Sequence, residues 1–237
     1  MIALRGIRKR FGALRVLDGV DLAIGDGRVT AVVGPNSAGK TTLIKSILGL
    51  TRVDEGTIVI DGRPIDAAGE YRRGIGYMPQ IARFPDNLTA EDLFAMMRDL
   101  QDGHGMQDEE LVQALGLAPH MQQRLRVLSG GTRQKVNAAL AFLFAPSVLI
   151  LDEPTAGLDP VASGIVKDKV LAERRKGRTI VLTSHVMSEL EELADDVAFL
   201  VDGRIRYAGS VHDLKKTTRQ LSLERAIAHV LSRGLAA

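Results

Sequence analysis

The chain contains no cysteine, so disulfides, thiolate metal sites and cysteine nucleophiles are excluded together. It also lacks an apolar run long enough to cross a bilayer, which takes about 20 residues. The most apolar stretch, 138–151, is interrupted by Pro146 and ended by Asp152 and Glu153. The opening residues MIALRGIRKRFG hold no apolar core of secretory-signal length, so no signal is expected. Any association with a membrane is therefore expected through a partner. Charge of one sign is not in excess either: 31 Lys and Arg face 29 Asp and Glu. That balance gives no ground for nucleic acid as a partner. Repeats, low-complexity tracts and flexible linkers are also lacking. What remains is an ordinary globular composition in 237 residues, enough for one large domain with a full hydrophobic core.

The first third reads as strands at 2–10, 14–24, 29–33, 57–60 and 74–78. The run Val29–Val33 is almost wholly apolar and ends in Gly34, the pattern of a strand covered on both faces. Residues 40–50 follow with helical spacing at Leu43, Ile44, Ile47 and Leu48. From 88 to 128 the spacing turns helical, with Leu93, Met96, Met97 and Leu100, then Leu111, Leu115 and Leu117. Strand and helix alternate afterwards: 148–151, 161–175, 179–183, 186–193 and 197–201. That alternation predicts an α/β core with parallel strands. The expected division is a core of 1–87 and 129–210, a helical insertion of 88–128 and a C-terminal helical tail of 211–237, with an amphipathic helix at 221–231.

The chemistry begins at Gly34, Pro35, Asn36, Ser37, Ala38, Gly39, Lys40, Thr41 and Thr42. This run fits G-x-x-x-x-G-K-[ST] between a buried strand and a helix, as a phosphate loop requires. Glycines let backbone N–H groups curl around phosphate oxygens, and a helix N-terminus adds its positive end. Lys40 is expected to reach the β- and γ-phosphates of ATP, and the Thr41 hydroxyl to ligate Mg²⁺. A second strand, 148–151, delivers Asp152 and Glu153 to opposite sides at its end. Asp152 is expected to hold Mg²⁺ through water, and Glu153 to polarise the attacking water. Then Leu128-Ser129-Gly130-Gly131-Thr132 precedes a helical run at 133–144. Ser129 suits an N-cap, and the glycines open that helix end to phosphate. Two phosphate cradles with a single loop and acid pair suggest that the second cradle serves another subunit's nucleotide. Taken singly, these residues also have plain readings: a glycine turn, acids ending a strand, a capped helix.

Five motifs in this order, with Gln80 after Tyr77-Met-Pro, Ala156-Gly-Leu-Asp159 and His185 after Thr183-Ser184, make the chain resemble the ATPase subunits of ABC transporters up to about residue 210. The resemblance implies a P-loop NTPase core with an N-terminal antiparallel β subdomain and an inserted α-helical subdomain. It implies ATP hydrolysis with Mg²⁺ in a head-to-tail dimer, here a homodimer. Ser129, Gly130 and Gly131 would then meet the γ-phosphate bound to the opposite chain, and Asp159 would lie between the sites. Phe11 would stack on adenine, His185 would contact the γ-phosphate, and Gln80 would link Mg²⁺ or water to integral membrane permease subunits. The chain would sit in the cytoplasm against the inner face of the membrane, with a periplasmic accessory protein as a further partner and no direct nucleic acid. Phe84 and Leu88 are expected as exposed contacts for a permease helix.

Two positions depart from the family pattern. Ser37 stands where glycine is frequent, which is acceptable at negative φ, and Thr132 replaces a frequent glutamine and is expected beyond the phosphate-facing residues. The stretches GPNSAGKTTLIKSILGL and LSGGTRQKVNAALAFLF are similar to the ATPase of the copper-linked ABC system for nitrous-oxide reductase maturation. Exporters of drugs, lipids or polysaccharides are the alternative cargo classes. A soluble ABC ATPase acting on nucleic acid or ribosomes is the rival from another class; such proteins usually carry fused modules or a long coiled coil.

Overall fold

A computed structural model describes residues 1–66, 68–101 and 107–233. Part of the expected helical insertion (102–106) and the end of the expected tail (234–237) lie outside them. The chain begins with the hairpin β1 (Ile2–Phe11) and β2 (Leu14–Ile24), then β3 (Val29–Val33) and α1 (Lys40–Ile47). Next come β4 (Glu55–Ile60), β5 (Arg63–Pro64) and β6 (Ile75–Met78). Helices α2 (Ala90–Leu100) and α3 (Glu110–Ala114) precede α4 (Gly130–Phe142). The second half runs β7 (Val148–Asp152), α5 (Pro160–Arg175), β8 (Thr179–Thr183), α6 (Met187–Leu193), β9 (Asp196–Val201), β10 (Arg204–Ser210), α7 (Val211–Thr218) and α8 (Leu223–Arg233).

A four-stranded antiparallel sheet has the order β2-β1-β4-β5, and a six-stranded sheet has the order β10-β9-β3-β8-β7-β6. In the larger sheet only β10 runs antiparallel to its neighbour. Alternation along its central strands divides the interior. Val29, Ala31, Val33, Leu149, Leu151, Ile180 and Leu182 face the cluster covered by helices. Val32, Val148, Ile150 and Val181 face the antiparallel sheet and α1. All are buried, and each such valine, leucine or isoleucine contributes roughly 1.5–3 kcal/mol. Burial on both faces accounts for the unbroken apolar runs read from the sequence.

Several details differ from the sequence reading. Strand β10 falls where no element was expected, whereas α7 lies within the expected helical tail; Arg204–Ser210 alternates exposed and half-buried residues, a weak apolar signal. Helix α3 is only five residues long, although Leu111, Leu115 and Leu117 are all buried. Phe84 and Leu88 are not freely exposed: both pack against the helix-covered cluster. The exposed apolar residue in that loop is Ile81, 70% accessible. No helix among the described residues is long and apolar enough to cross a membrane.

Candidate active site

Four parallel strands, β3, β6, β7 and β8, end at one edge of the larger sheet, and the loops there carry most of the candidate residues. This is where open α/β sheets hold ligands. The phosphate loop leaves β3 so tightly that a Cβ on Gly34 would lie 2.0 Å from the Leu200 carbonyl oxygen. Only glycine fits there. Gly39 has φ of 104° and abuts the Val16 carbonyl of β2, which brings the hairpin end that carries Phe11 to the side of the loop. Phe11 is 52% exposed, with the Lys9 ammonium over its ring at 5.3 Å.

Ser37 corrects one expectation. Its φ is 69°, in the left-handed region, where an L side chain costs roughly 1–2 kcal/mol. The curl that turns successive amides inward requires this conformation, which is why glycine is frequent there. Helix α1 starts at Gly39 with no side-chain cap, so its first N–H groups remain available to an anion. Lys40 donates to the carbonyl oxygens of Gly34 at 2.6 Å and Pro35 at 3.0 Å. Burial lowers its pKa, and the nearby charges of Glu153 and Asp152 partly oppose that shift. A phosphate would replace weak carbonyl partners with a full negative charge.

Asp152 and Glu153 leave β7 with different surroundings. Asp152 is 6% exposed, and its Oδ1 accepts from the Thr183 hydroxyl at 2.5 Å. Glu153 has φ of 53°, a left-handed conformation costing about 1 kcal/mol or more for a non-glycine residue. Its N–H is held by the Thr183 carbonyl and by Thr183 Oγ1, each at 3.1 Å. One threonine therefore fixes both acids. The turn directs the Glu153 carboxylate to His185, whose Nε2 lies 2.8 Å from Oε1. Glu189 Oε2 accepts from Thr155 at 2.8 Å and Ser184 at 3.1 Å, tying the segments after Glu153 and before His185 together. Sequence reasoning missed Thr183 and Glu189 as site residues. A threonine closing an apolar strand was the available signal for the first; an acid in a helix's first turn signals only capping.

Ser129 caps α4, accepting from the Thr132 N–H at 3.1 Å. Thr132 is closer to the signature serine than expected, since the two hydroxyl oxygens are 2.8 Å apart. Gly131 lies against Gly157, 3.3 Å from a Cβ position to the carbonyl oxygen. Asp159 caps α5 through the Ala162 N–H and pairs with Lys135 of α4 at 3.1 Å. Those contacts, the amide first, hold its carboxyl below the usual carboxylate range. Signature segment and Asp159 thus form one unit. Among the described residues no hydrogen bond joins Ser129, Gly130 or Gly131 to the phosphate loop of the same chain. Gln80 is exposed beyond β6, where Met78 pairs with Leu151 and so brings the chain out beside Asp152.

A family described as "ABC transporter" matches residues 17–156, more than half of the chain. The chain belongs to the ABC transporter family. It is an ABC-type ATPase domain. It is 34% identical over 219 residues to a Nod factor export ATP-binding protein I of Burkholderia lata, covering 90% of this chain and 72% of that protein. A daunorubicin resistance ATP-binding protein of Streptomyces coeruleorubidus is 35% identical over 222 residues, 92% of this chain and 70% of its own length. Human phospholipid-transporting ATPase ABCA3 is 34% identical over 207 residues, 85% of this chain, but the chain spans only 12% of that protein. A solved ATP-binding subunit of an ABC transporter superposes with a TM-score of 0.89 at 27% identity, covering 98% of this chain and 99% of that one.

Proposed function

We propose that this ABC ATPase domain binds ATP with Mg²⁺ at the phosphate loop, hydrolyses it with Glu153 and powers an export permease as a dimer. The observation that supports this best is the shared anchoring of Asp152 and Glu153 by Thr183, with His185 against Glu153. The residues present fit the ligands. The uncapped start of α1 and the Gly34 cradle suit a polyphosphate. No group of three or more His, Cys, Asp or Glu among the described residues is arranged for a metal. Mg²⁺ is held by one or two carboxylates together with substrate phosphate oxygens and water; here Asp152 would supply the carboxylate, with Thr41 and Gln80 beside it. Bound Mg²⁺ supplies charge neutralisation on the phosphates.

The protein groups do the rest. Lys40 exchanges its carbonyl partners for phosphate oxygens. Glu153 accepts a proton from the attacking water, and His185 leaves Glu153 to donate to the γ-phosphate. Phe11 stacks on the base. The signature residues Ser129, Gly130 and Gly131, with Asp159, complete the site of a second copy. The groove of about 310 Å³ lined by Phe84, Met97, Leu140 and Phe144 receives a helix of the permease, which holds the chain at the cytoplasmic face of the membrane. The names of the relatives favour export of a small molecule or lipid; the copper-linked reading rests on the loop and signature stretches alone.

Two measurements test this function. The purified chain should hydrolyse ATP with vanadate sensitivity and co-purify with an integral membrane protein; recovery with ribosomes or nucleic acid instead would refute the transport role. His185→Ala should keep ATP affinity within a few-fold and lower turnover by roughly 10²-fold, a typical loss for one catalytic contact. Wild-type turnover in that variant would remove His185 from the reaction.

A further inference from the structure

Asn137 sits in the interior of α4, among Val136, Ala138 and Ala139, and is 3% exposed. A buried amide at such a position is costly unless its donors are used, and asparagine is a weak helix former. Packing alone would be served by alanine. The amide is used for a specific contact: Nδ2 donates to the carbonyl oxygen of Pro79 at 2.8 Å. It also donates to Oε1 of Gln134 at 3.3 Å, one turn earlier on the same helix. Gln134 is 7% exposed, and its own Nε2 finds no hydrogen-bond partner among the described residues. The pair therefore retains a buried polar cost that an apolar pair would avoid.

The position of the acceptor gives the contact its meaning. The Pro79 carbonyl and the Gln80 N–H belong to one rigid, planar peptide unit. Holding that oxygen fixes the plane from which Gln80 departs, and the proline ring already restricts the preceding φ. The donor belongs to the helix that begins at the signature segment Ser129–Gly131. Pro79 and Asn137 also line the groove that contains Phe84. We infer that Asn137 is a positioning residue for Gln80, transmitting displacement of the signature helix to the Gln80 peptide. This inference rests on the proposed role of Gln80 at the nucleotide site.

The test is a double-mutant cycle on the full-length chain, read as steady-state ATPase activity against ATP and against MgCl₂. Asn137→Leu keeps the side-chain shape and removes the donor; Asn137→Ala is the second variant should the first not fold. Gln80→Ala is expected to lower kcat roughly tenfold and raise the Mg²⁺ concentration for half-maximal activity. Asn137→Leu should lower kcat several-fold in the same way, with KM for ATP within about twofold of wild type. Because Asn137 acts through Gln80, the double variant should be no worse than Gln80→Ala alone, a non-additive result. Unchanged kcat and Mg²⁺ dependence in the Asn137 variants, with Gln80→Ala impaired, would overturn the inference alone. So would additive losses, or a lowered Tm with wild-type kinetics per folded molecule. An inert Gln80→Ala would overturn the Gln80 role and the inference with it.

Discussion

Glu153→Gln is expected to bind ATP with near wild-type affinity and to lose turnover by about 10²–10⁴-fold, the range for removing a general base. The amide preserves size and can still approach His185, but it cannot accept the proton of an attacking water at neutral pH. Binding should survive because the groups proposed to meet the phosphates, the uncapped start of α1 and Lys40, lie on another loop. The backbone need not move either, since Thr183 holds the Glu153 N–H independently of the side chain. With hydrolysis blocked, the proposed ATP-bound dimer should accumulate. Size-exclusion chromatography should give a monomer without nucleotide and a dimer with ATP. Wild-type kcat in Glu153→Gln would show that the proton goes elsewhere.

Lys169→Ala should produce the largest loss of stability, about 3 kcal/mol for removing one partner of a buried ion pair, or roughly 6–12 °C in Tm. Lys169, on α5, is 3% exposed and binds Asp108 at 2.5 Å and Glu110 at 2.7 Å, with Glu173 at 3.4 Å. Without it, Glu173, 1% exposed, would keep only the partners Lys176 and Arg178. The start of α3 would also lose its tie to α5. Burial opposes the charge on Lys169, but hydrogen bonds to Asp108 and Glu110 outweigh it, so its pKa is raised. A raised lysine pKa contributes stability that is fully present below the ordinary lysine range and is lost as pH climbs through the raised value. The stability gap between wild type and Lys169→Met should therefore hold at neutral pH and narrow as pH climbs into the alkaline range. Thermal unfolding across pH checks both statements; an unchanged Tm in Lys169→Ala would show that the cluster contributes nothing.

The phosphate loop and the core strands were legible because their signals are local. A wholly buried strand is apolar at nearly every position, and β3 and β8 were read with their observed limits, as was the half-buried β2. The loop needs glycine where Leu200 and Val16 approach it, and such a need leaves a fixed spacing in the sequence. Strand β10 was missed because an edge strand with a half-exposed face leaves little periodicity. Phe84 and Leu88 were misread as exposed because an apolar residue in a loop does not declare what lies beneath it.

The sequence alone marked the groups proposed to bring chemistry: the loop, the acid pair and the signature segment by residue type and spacing, and the histidine by the family resemblance. Tertiary structure decided how they are held. Ser37 and Glu153 adopt left-handed backbone conformations that their residue types disfavour, and Thr183 of the neighbouring strand holds the Glu153 N–H in its turn. Thr183 meets both acids only because β8 runs beside β7 in register with Asp152. Asn137 reaches Pro79 across 58 residues of sequence. Contacts of that range depend on sheet order and helix packing, which arise from the whole core and leave no local pattern to read.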